Sequence, residues 1–252
     1  MKNKISALRL VTYCSLVMFL FTFGWCTPAA PSNNGASTTL RILPGFSLSA
    51  CKDTYTGKSY VEPQTLMAAG GSPLAGYTWS TSGFPVGTTV WPQTGVFVSN
   101  GGIMSLTTGQ YPITVEVSDG TSTKTGSVTL YVTTVSSAPL GGIPMPGCPV
   151  AILQQMNGVG SFVLDDAYAN KPYGASLYAT GGTPPYSWSE DASYSGRGDF
   201  NLSGLTIGMS SGIVRGTLFN SSSGKTLKFR VIVKDNAGST SLPGPVYSIT
   251  VK

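Results

Sequence analysis

The stretch Gly181-Gly182-Thr183-Pro184-Pro185-Tyr186-Ser187-Trp188-Ser189 decides how the rest of this chain is read. A looser copy, Gly70-Gly71-Ser72-Pro73-Leu74-Ala75-Gly76-Tyr77-Thr78-Trp79-Ser80, lies in the first half. Each copy is a glycine turn, a proline-stiffened run, and then a strand whose Tyr and Trp, two residues apart, share one sheet face. Two related units therefore follow one another. Tyr77, Trp79, Tyr186 and Trp188 are expected as core residues of a central strand, each adding about 2 to 3 kcal/mol by burial.

Working outward, Tyr55-Thr56-Gly57-Lys58-Ser59-Tyr60 matches Tyr168-Ala169-Asn170-Lys171-Pro172-Tyr173, and Leu66 to Ala69 matches Leu177 to Thr180. Further on, Gly87 to Val90 matches Gly204 to Ile207, and Thr94-Gly95-Val96 matches Ser211-Gly212-Ile213, at a slightly larger spacing. The shift locates an insertion in the second copy, Glu190 to Phe200, expected to be a polar, glycine-containing loop. Phe46 to Ala50 alternates as a first strand. From Tyr111 to Val117 apolar and polar residues alternate strictly, as a half-buried strand requires. Leu227, Phe229, Val231 and Val233 repeat the pattern, with Lys228, Arg230 and Lys234 on the solvated side. Val128, Leu130 and Val132 close the first copy, and Tyr247, Ile249 and Val251 the second. No segment keeps helical spacing.

The expected class is all-β: two tandem antiparallel Ig-like β-sandwich domains. Residues 1–30 read as a secretory signal, 31–39 as a flexible tether, 40–135 as a diverged first domain, 136–149 as a Pro/Gly-rich linker, and 150–252 as the second domain. Glycine (32) and proline (17) are abundant and charged residues are only 10%, a balance of short strands and turns rather than helices.

Lys2, Lys4 and Arg9 precede an apolar run from Leu10 to Trp25, followed by small residues to Ala30, the layout of an export signal. The run is short for a span, which takes about 20 residues. Cleavage fits after Cys26 or near Ala30; lipidation of Cys26 is the alternative, disfavoured because Trp25 stands where a lipobox has a small residue. The expected location is extracellular or in the cell envelope, with membrane contact only through the signal or a lipid anchor. Three of the five excess positive charges lie in this leader. No basic cluster remains to bind nucleic acid.

In an oxidising compartment Cys51 and Cys148 are expected to form one disulfide, with free thiols or an intermolecular link as alternatives. Enclosing nearly the whole first copy, the bond would stabilise by about 4 to 5 kcal/mol on loop entropy alone.

The second copy resembles the bacterial putative-Ig repeat family, related to cadherin-like and dystroglycan-type modules. The resemblance rests on Tyr168 to Tyr173, Ala179 to Trp188, Ser203 to Ile207, Ser211 to Thr217, and Val233-Lys234-Asp235-Asn236-Ala237-Gly238. It implies exported spacers or adhesive modules without catalysis. Some such relatives bind calcium between domains. Here Asp119 and Asp235 occupy matching turns, but the segment 136–149 supplies no carboxylate toward the roughly six to eight oxygens that calcium takes. Turn capping by the two aspartates is expected instead, and no cofactor.

Gly208-Met209-Ser210-Ser211-Gly212 fits a Gly-x-Ser-x-Gly elbow, yet the chain contains 0 histidines, so the usual triad has no base. Gly224-Lys225-Thr226 has the wrong spacing from Gly216 for a phosphate loop and reads as a hairpin turn. Asp165/Asp166 and Glu190/Asp191 read as exposed turn carboxylates rather than an acid and base pair. Trp91, Tyr131 and Tyr194, with Arg197 beside the last, are the candidate ligand contacts, being aromatic or charged residues that the core pattern does not need. A non-enzymatic adhesion or spacer role toward a surface protein or polysaccharide is expected. The alternative is a small carbohydrate-binding module using those exposed rings.

Overall fold

The computed structural model describes residues 39–43, 47–100, 106–135, 154–155, 161–241 and 244–252. The fold is all-β. The first copy contributes β1 (Arg41–Ile42), β2 (Leu48–Asp53), β3 (Ser59–Val61), β4 (Gln64–Thr65), β5 (Ala68–Ala69), β6 (Thr78–Ser82), β7 (Thr88–Val90), β8 (Val96–Ser99), β9 (Gly109–Ser118) and β10 (Thr123–Val135). The second contributes β11 (Gln154–Gln155), β12 (Ser161–Val163), β13 (Pro172–Ser176), β14 (Ala179–Thr180), β15 (Ser187–Glu190), β16 (Leu205–Ile207), β17 (Ile213–Thr217), β18 (Thr226–Phe229), β19 (Val231–Lys234) and β20 (Val246–Thr250). The segments 1–30, 31–38 and 136–149 lie outside the described residues. Among the described residues no helix is long and apolar enough to cross a membrane.

One strand plan appears twice. In the first copy β10 runs parallel to β2 and antiparallel to β9, and β9 pairs with β6. In the second β20 runs parallel to β12 and antiparallel to β18, while β19, continuing the course of β18 beyond Arg230, pairs with β15. On the other side β8 lies between β4 and β7, and β17 between β13 and β16. These neighbourhoods are those of an immunoglobulin-like sandwich.

Alternation sets the faces. Ile113, Val115 and Val117 are buried while Thr114 and Glu116 are exposed, so β9 shows one face to the core and one to water. The first long strand begins at Leu48 and runs past Ala50 to Asp53, a shift from the expected Phe46 start; Phe46 itself is outside the described residues. Asp53 ends the strand because its carboxylate accepts the Tyr55 N–H at 2.9 Å and closes the turn.

The two copies are joined through their sheets. β4 lies between β8 of its own copy and β14 of the other, whereas β5, three residues further on, lies between β1 and β13. Reciprocally, β13 lies between β17 and β5, and β14 between β11 and β4. Each second strand thus starts in its own sheet and finishes in that of the other copy. Leu66 and Met67 cross Leu177 and Tyr178 at the exchange, and all four are buried.

Hydroxyls complete the bonding where the ladders change partners. Thr65 Oγ1 accepts the Ala179 N–H at 2.9 Å and donates to Leu177 O at 3.2 Å. At the corresponding position, Ser176 Oγ accepts the Ala68 N–H at 3.0 Å and donates to Ala68 O at 3.2 Å. The outer bonds are paired too: Gly70 N–H donates to Gly174 O and Gly181 N–H to Pro63 O, both at 2.9 Å. Gly70 and Gly181 then turn away at φ of 81° and 77°, which a side chain would resist. Half-buried Arg41 adds an ion pair with buried Asp165 across the copies, and Thr180 Oγ1 donates to Glu62 at 2.8 Å. One hydrophobic cluster runs through both copies.

Thr65→Val leaves a buried N–H without its acceptor and is expected to cost about 1 to 3 kcal/mol; Ser176→Ala should cost a similar amount. Because the two sheets that meet at the crossing each contain strands of both copies, either change should lower a single cooperative transition, read by tryptophan fluorescence and far-UV circular dichroism in urea. Two separated transitions would show that the copies unfold independently.

Candidate functional site

The repeated motif is spent on structure. The Tyr77 hydroxyl donates to Gly70 O at 2.8 Å and the Tyr186 hydroxyl to Gly181 O at 2.6 Å, each locking its own glycine turn. Burial pushes the ionisation of both phenols far up, so they remain donors. Trp79 and Trp188 lie buried against Gly95 and Gly212, at φ of 67° and 64°. A Cβ on Gly212 would stand 2.5 Å from the Trp188 ring, so glycine is needed for both backbone and space. Gly208 to Gly212, the elbow-like segment, is this turn: Gly212 N–H donates to Gly208 O at 2.9 Å and its backbone covers Trp188.

Asp119 and Asp235 each tie two turns together. Asp119 accepts the N–H groups of Thr121 and Ser122 on one oxygen and that of Ser72, at 2.7 Å, on the other. Asp235 accepts Ser239 N–H at 2.7 Å and Thr183 N–H at 2.9 Å. Each therefore pins the glycine-glycine turn of its copy to the turn after the long strand. Among the described residues no group of three or more metal-ligating side chains gathers.

Three expectations are corrected. Asp165 and Asp191 are buried rather than exposed, because Arg41 pairs with the first, and Ser193 donates to the second through N–H at 2.9 Å and Oγ at 2.5 Å. Asp166, half-buried, holds Lys252 at 2.6 Å. Gly224 closes no hairpin, since β17 pairs with β13 and β16 while β18 pairs with β20; the segment, including a 3-10 turn at Asn220–Ser222, crosses between sheets. Finally, the Glu190 to Phe200 insertion is not polar throughout. It folds into a 3-10 turn (Ser195–Arg197) and α1 (Gly198–Asn201), and Phe200 is buried with its ring 4.3 Å from that of Phe229.

The candidate contacts are scattered. Tyr131 is 42% exposed on the outer face of β10, beside Gln110 and Ser49. Trp91, just after β7, belongs to the opposite sheet and packs half-buried against the core. Tyr194 and Arg197 share the insertion, where the Arg230 guanidinium sits 5.2 Å from the Tyr194 ring centre. Cys51 is disulfide-bonded; Cys148 and Cys26 lie outside the described residues.

What the structure adds is a cleft of about 200 Å³ between β15, α1 and β16. Ser189, Glu190, Asn201 and Thr206 supply polar groups, and Phe200 and Ile207 apolar wall. Glu190 stands 3.9 Å from Arg197, and its Oε1, enclosed by protein, accepts no hydrogen bond. Burial raises the ionisation of this carboxyl, partly offset by Arg197, with Asp191 adding a smaller upward push. Asn201 and Thr206 carry no motif in the sequence and lie just beyond the insertion; Phe200, an apolar ring at the end of a polar loop, is the available signal.

No family model matches the chain, and no curated protein does. Solved structures with some likeness include human protocadherin-24 EC1-2, at 16% identity, covering 84% of this chain and 97% of that one with a TM-score of 0.28. An endo-fucoidan hydrolase of glycoside hydrolase family 107 is 15% identical over 89% of this chain and 30% of that one, TM-score 0.32. A putative alpha-galactosidase from Bacteroides fragilis is 16% identical over 39% of this chain, with a TM-score of 0.29; the chain spans only 18% of its length. Neither family nor activity follows from likenesses of this strength.

Asp119 gives the turns an acid limit. Burial works to raise its pKa, but the N–H donors of Ser122, Ser72 and Thr121, with the Ser122 hydroxyl, outweigh it and hold the carboxyl below the usual range. A depressed folded value means that its stabilisation is present above the unfolded value, about 3.9, and is lost as pH falls through the lower folded one. Asp119→Asn should lower the melting temperature at neutral pH and flatten its fall in acid, as scanning calorimetry from about pH 7 down to about pH 2 would measure. An acid limb unchanged from wild type would place the titrating groups elsewhere.

Proposed function

We propose that this chain is a non-enzymatic, exported or cell-surface protein that serves the cell envelope as an adhesion or spacer module. The observation that carries this is the reciprocal exchange of strands between the copies. Two sandwiches joined by backbone ladders, buried hydroxyls and one core form a stiff unit, and stiffness is what holding other parts at a fixed separation requires. The leader pattern of residues 1–30 supports export. The residues that most resemble catalytic signatures are used in turns and ion pairs, and a chain with 0 histidines lacks the commonest general base.

A carbohydrate platform made of exposed rings has less support, since Trp91 and Tyr131 belong to opposite sheets and Tyr194 is stacked by Arg230. Fractionation of the native cell, with mass analysis of the mature N-terminus, should find the chain outside the cytosol and lacking its leader. Immobilised mature protein should retain isolated envelope material equally well as wild type and as Trp91→Ala or Tyr194→Ala. A cytosolic chain or absence of retention would overturn the proposal, and loss of retention in either variant would favour the aromatic platform.

A further inference from the structure

Of all the asparagines in the chain, only Asn201 and Asn220 begin an Asn-x-Ser/Thr triplet, in Asn201-Leu202-Ser203 and Asn220-Ser221-Ser222. The fold sets the two triplets side by side. Phe219, immediately before Asn220, donates its N–H to Ser203 O at 2.9 Å, and its ring lies over Gly204. Both asparagines are exposed, Asn201 at the end of α1 and Asn220 at the start of the 3-10 turn Asn220–Ser222. We propose that both carry an N-linked glycan. The first copy has no such triplet, so the pair is not a demand of the shared fold.

Asn170 Nδ2 donates to Asn220 Oδ1 at 3.3 Å, which engages the carbonyl of that amide and not the nitrogen that bears a sugar. Among the described residues no hydrogen bond engages the Nδ2 of either asparagine. Beside each lies a large apolar side chain left in water: Leu202, 70% exposed, follows Asn201, and Phe219, 56% exposed, precedes Asn220. Exposed apolar side chains brought together call for a cover. Thr217, Ser221 and Ser223 around them are exposed and polar, and Asp199 is ion-paired to Lys225, so the apolar area is two side chains wide. That is far below a protein interface of roughly 800 Å² per partner, and it matches the C–H face of a sugar fixed to the neighbouring residue.

The third residues, Ser203 and Ser222, are buried, and Ser203 Oγ donates to Phe200 O at 2.6 Å while accepting the Leu205 N–H at 3.2 Å. Transfer therefore precedes folding, on the chain as it leaves the membrane, and the fold then holds both amides outward. The co-reactant is an oligosaccharide on a lipid phosphate. Nδ2 bonds to the anomeric carbon, the bond from that carbon to the phosphate oxygen breaks, the lipid phosphate leaves with the electron pair, and the amide gives up one proton. Nothing is oxidised or reduced. The modification rests on the export proposed above, because donor and transferase face the compartment that an exported chain enters.

The test is peptide mass mapping of the chain recovered from its native cell. Trypsin, cutting after Arg197, Arg215 and Lys225, places the two asparagines on separate peptides, 198–215 and 216–225. Each is expected to carry added sugar mass in a chain that has lost its leader. Asn201→Gln and Asn220→Gln, at exposed positions, should each remove the addition from their own peptide alone and leave the circular dichroism unchanged. A leader-free chain in which either peptide is entirely bare overturns the proposal and leaves export standing. Sugar mass that persists on a peptide after its own substitution also overturns it, and a chain retained in the cytosol overturns both readings.

Discussion

Where the two copies cross, two hydroxyls take the place of missing backbone partners. Where the second strands of the copies cross, the ladders change partners, and a bare backbone would leave buried N–H groups facing no carbonyl. An unmatched buried donor is costly, whereas a matched one contributes modestly, so the crossing is stable only because Thr65 and Ser176 fill the gap. Their positions correspond in the two copies, and so do the flanking glycine bonds. The contact is therefore self-complementary, in the manner of a two-fold dimer interface built within one chain.

The rest of the repeated motif follows from that constraint. The crossing strands must stop at Gly70 and Gly181, so the next residues must turn, and the tyrosine hydroxyls then fasten the turn carbonyls from inside. The aspartates fasten the same turns from the other end of the long strands. Tryptophan fills the space that Gly95 and Gly212 leave. The motif is a chain of mutual supports, and its rings and carboxylates are already engaged.

Much of this was legible in the sequence, for physical reasons that also mark where legibility ended. β9 and the pair β18 and β19 alternate because one face is buried and the other wet, and that period survives in any single copy. The crossing left no such trace. Leu66-Met67-Ala68-Ala69 is an apolar run buried on both sides, so it carries no period, and its partner is fixed only in three dimensions. Asp165 and Asp191 misled for a related reason: a carboxylate is read as exposed by default, and Arg41, far away in the chain, is what makes Asp165 tolerable inside. Asn201 and Thr206 meet at one cleft only because α1 folds back on β16.

Duplication separates structural from functional demands within one chain. A residue present in both copies must serve the shared fold, as the Tyr, Trp, Asp and Gly of the motif do. The insertion from Glu190 to Phe200 has no such duty, yet it is not loose: Phe200 anchors it on Phe229, Lys225 holds Asp199 at 2.9 Å, and Asp191 caps its first turn. Ordering each such residue costs conformational entropy, which the burial of Phe200 and these polar contacts offset. The partly desolvated Glu190 adds to that cost, offset in part by Arg197 at 3.9 Å.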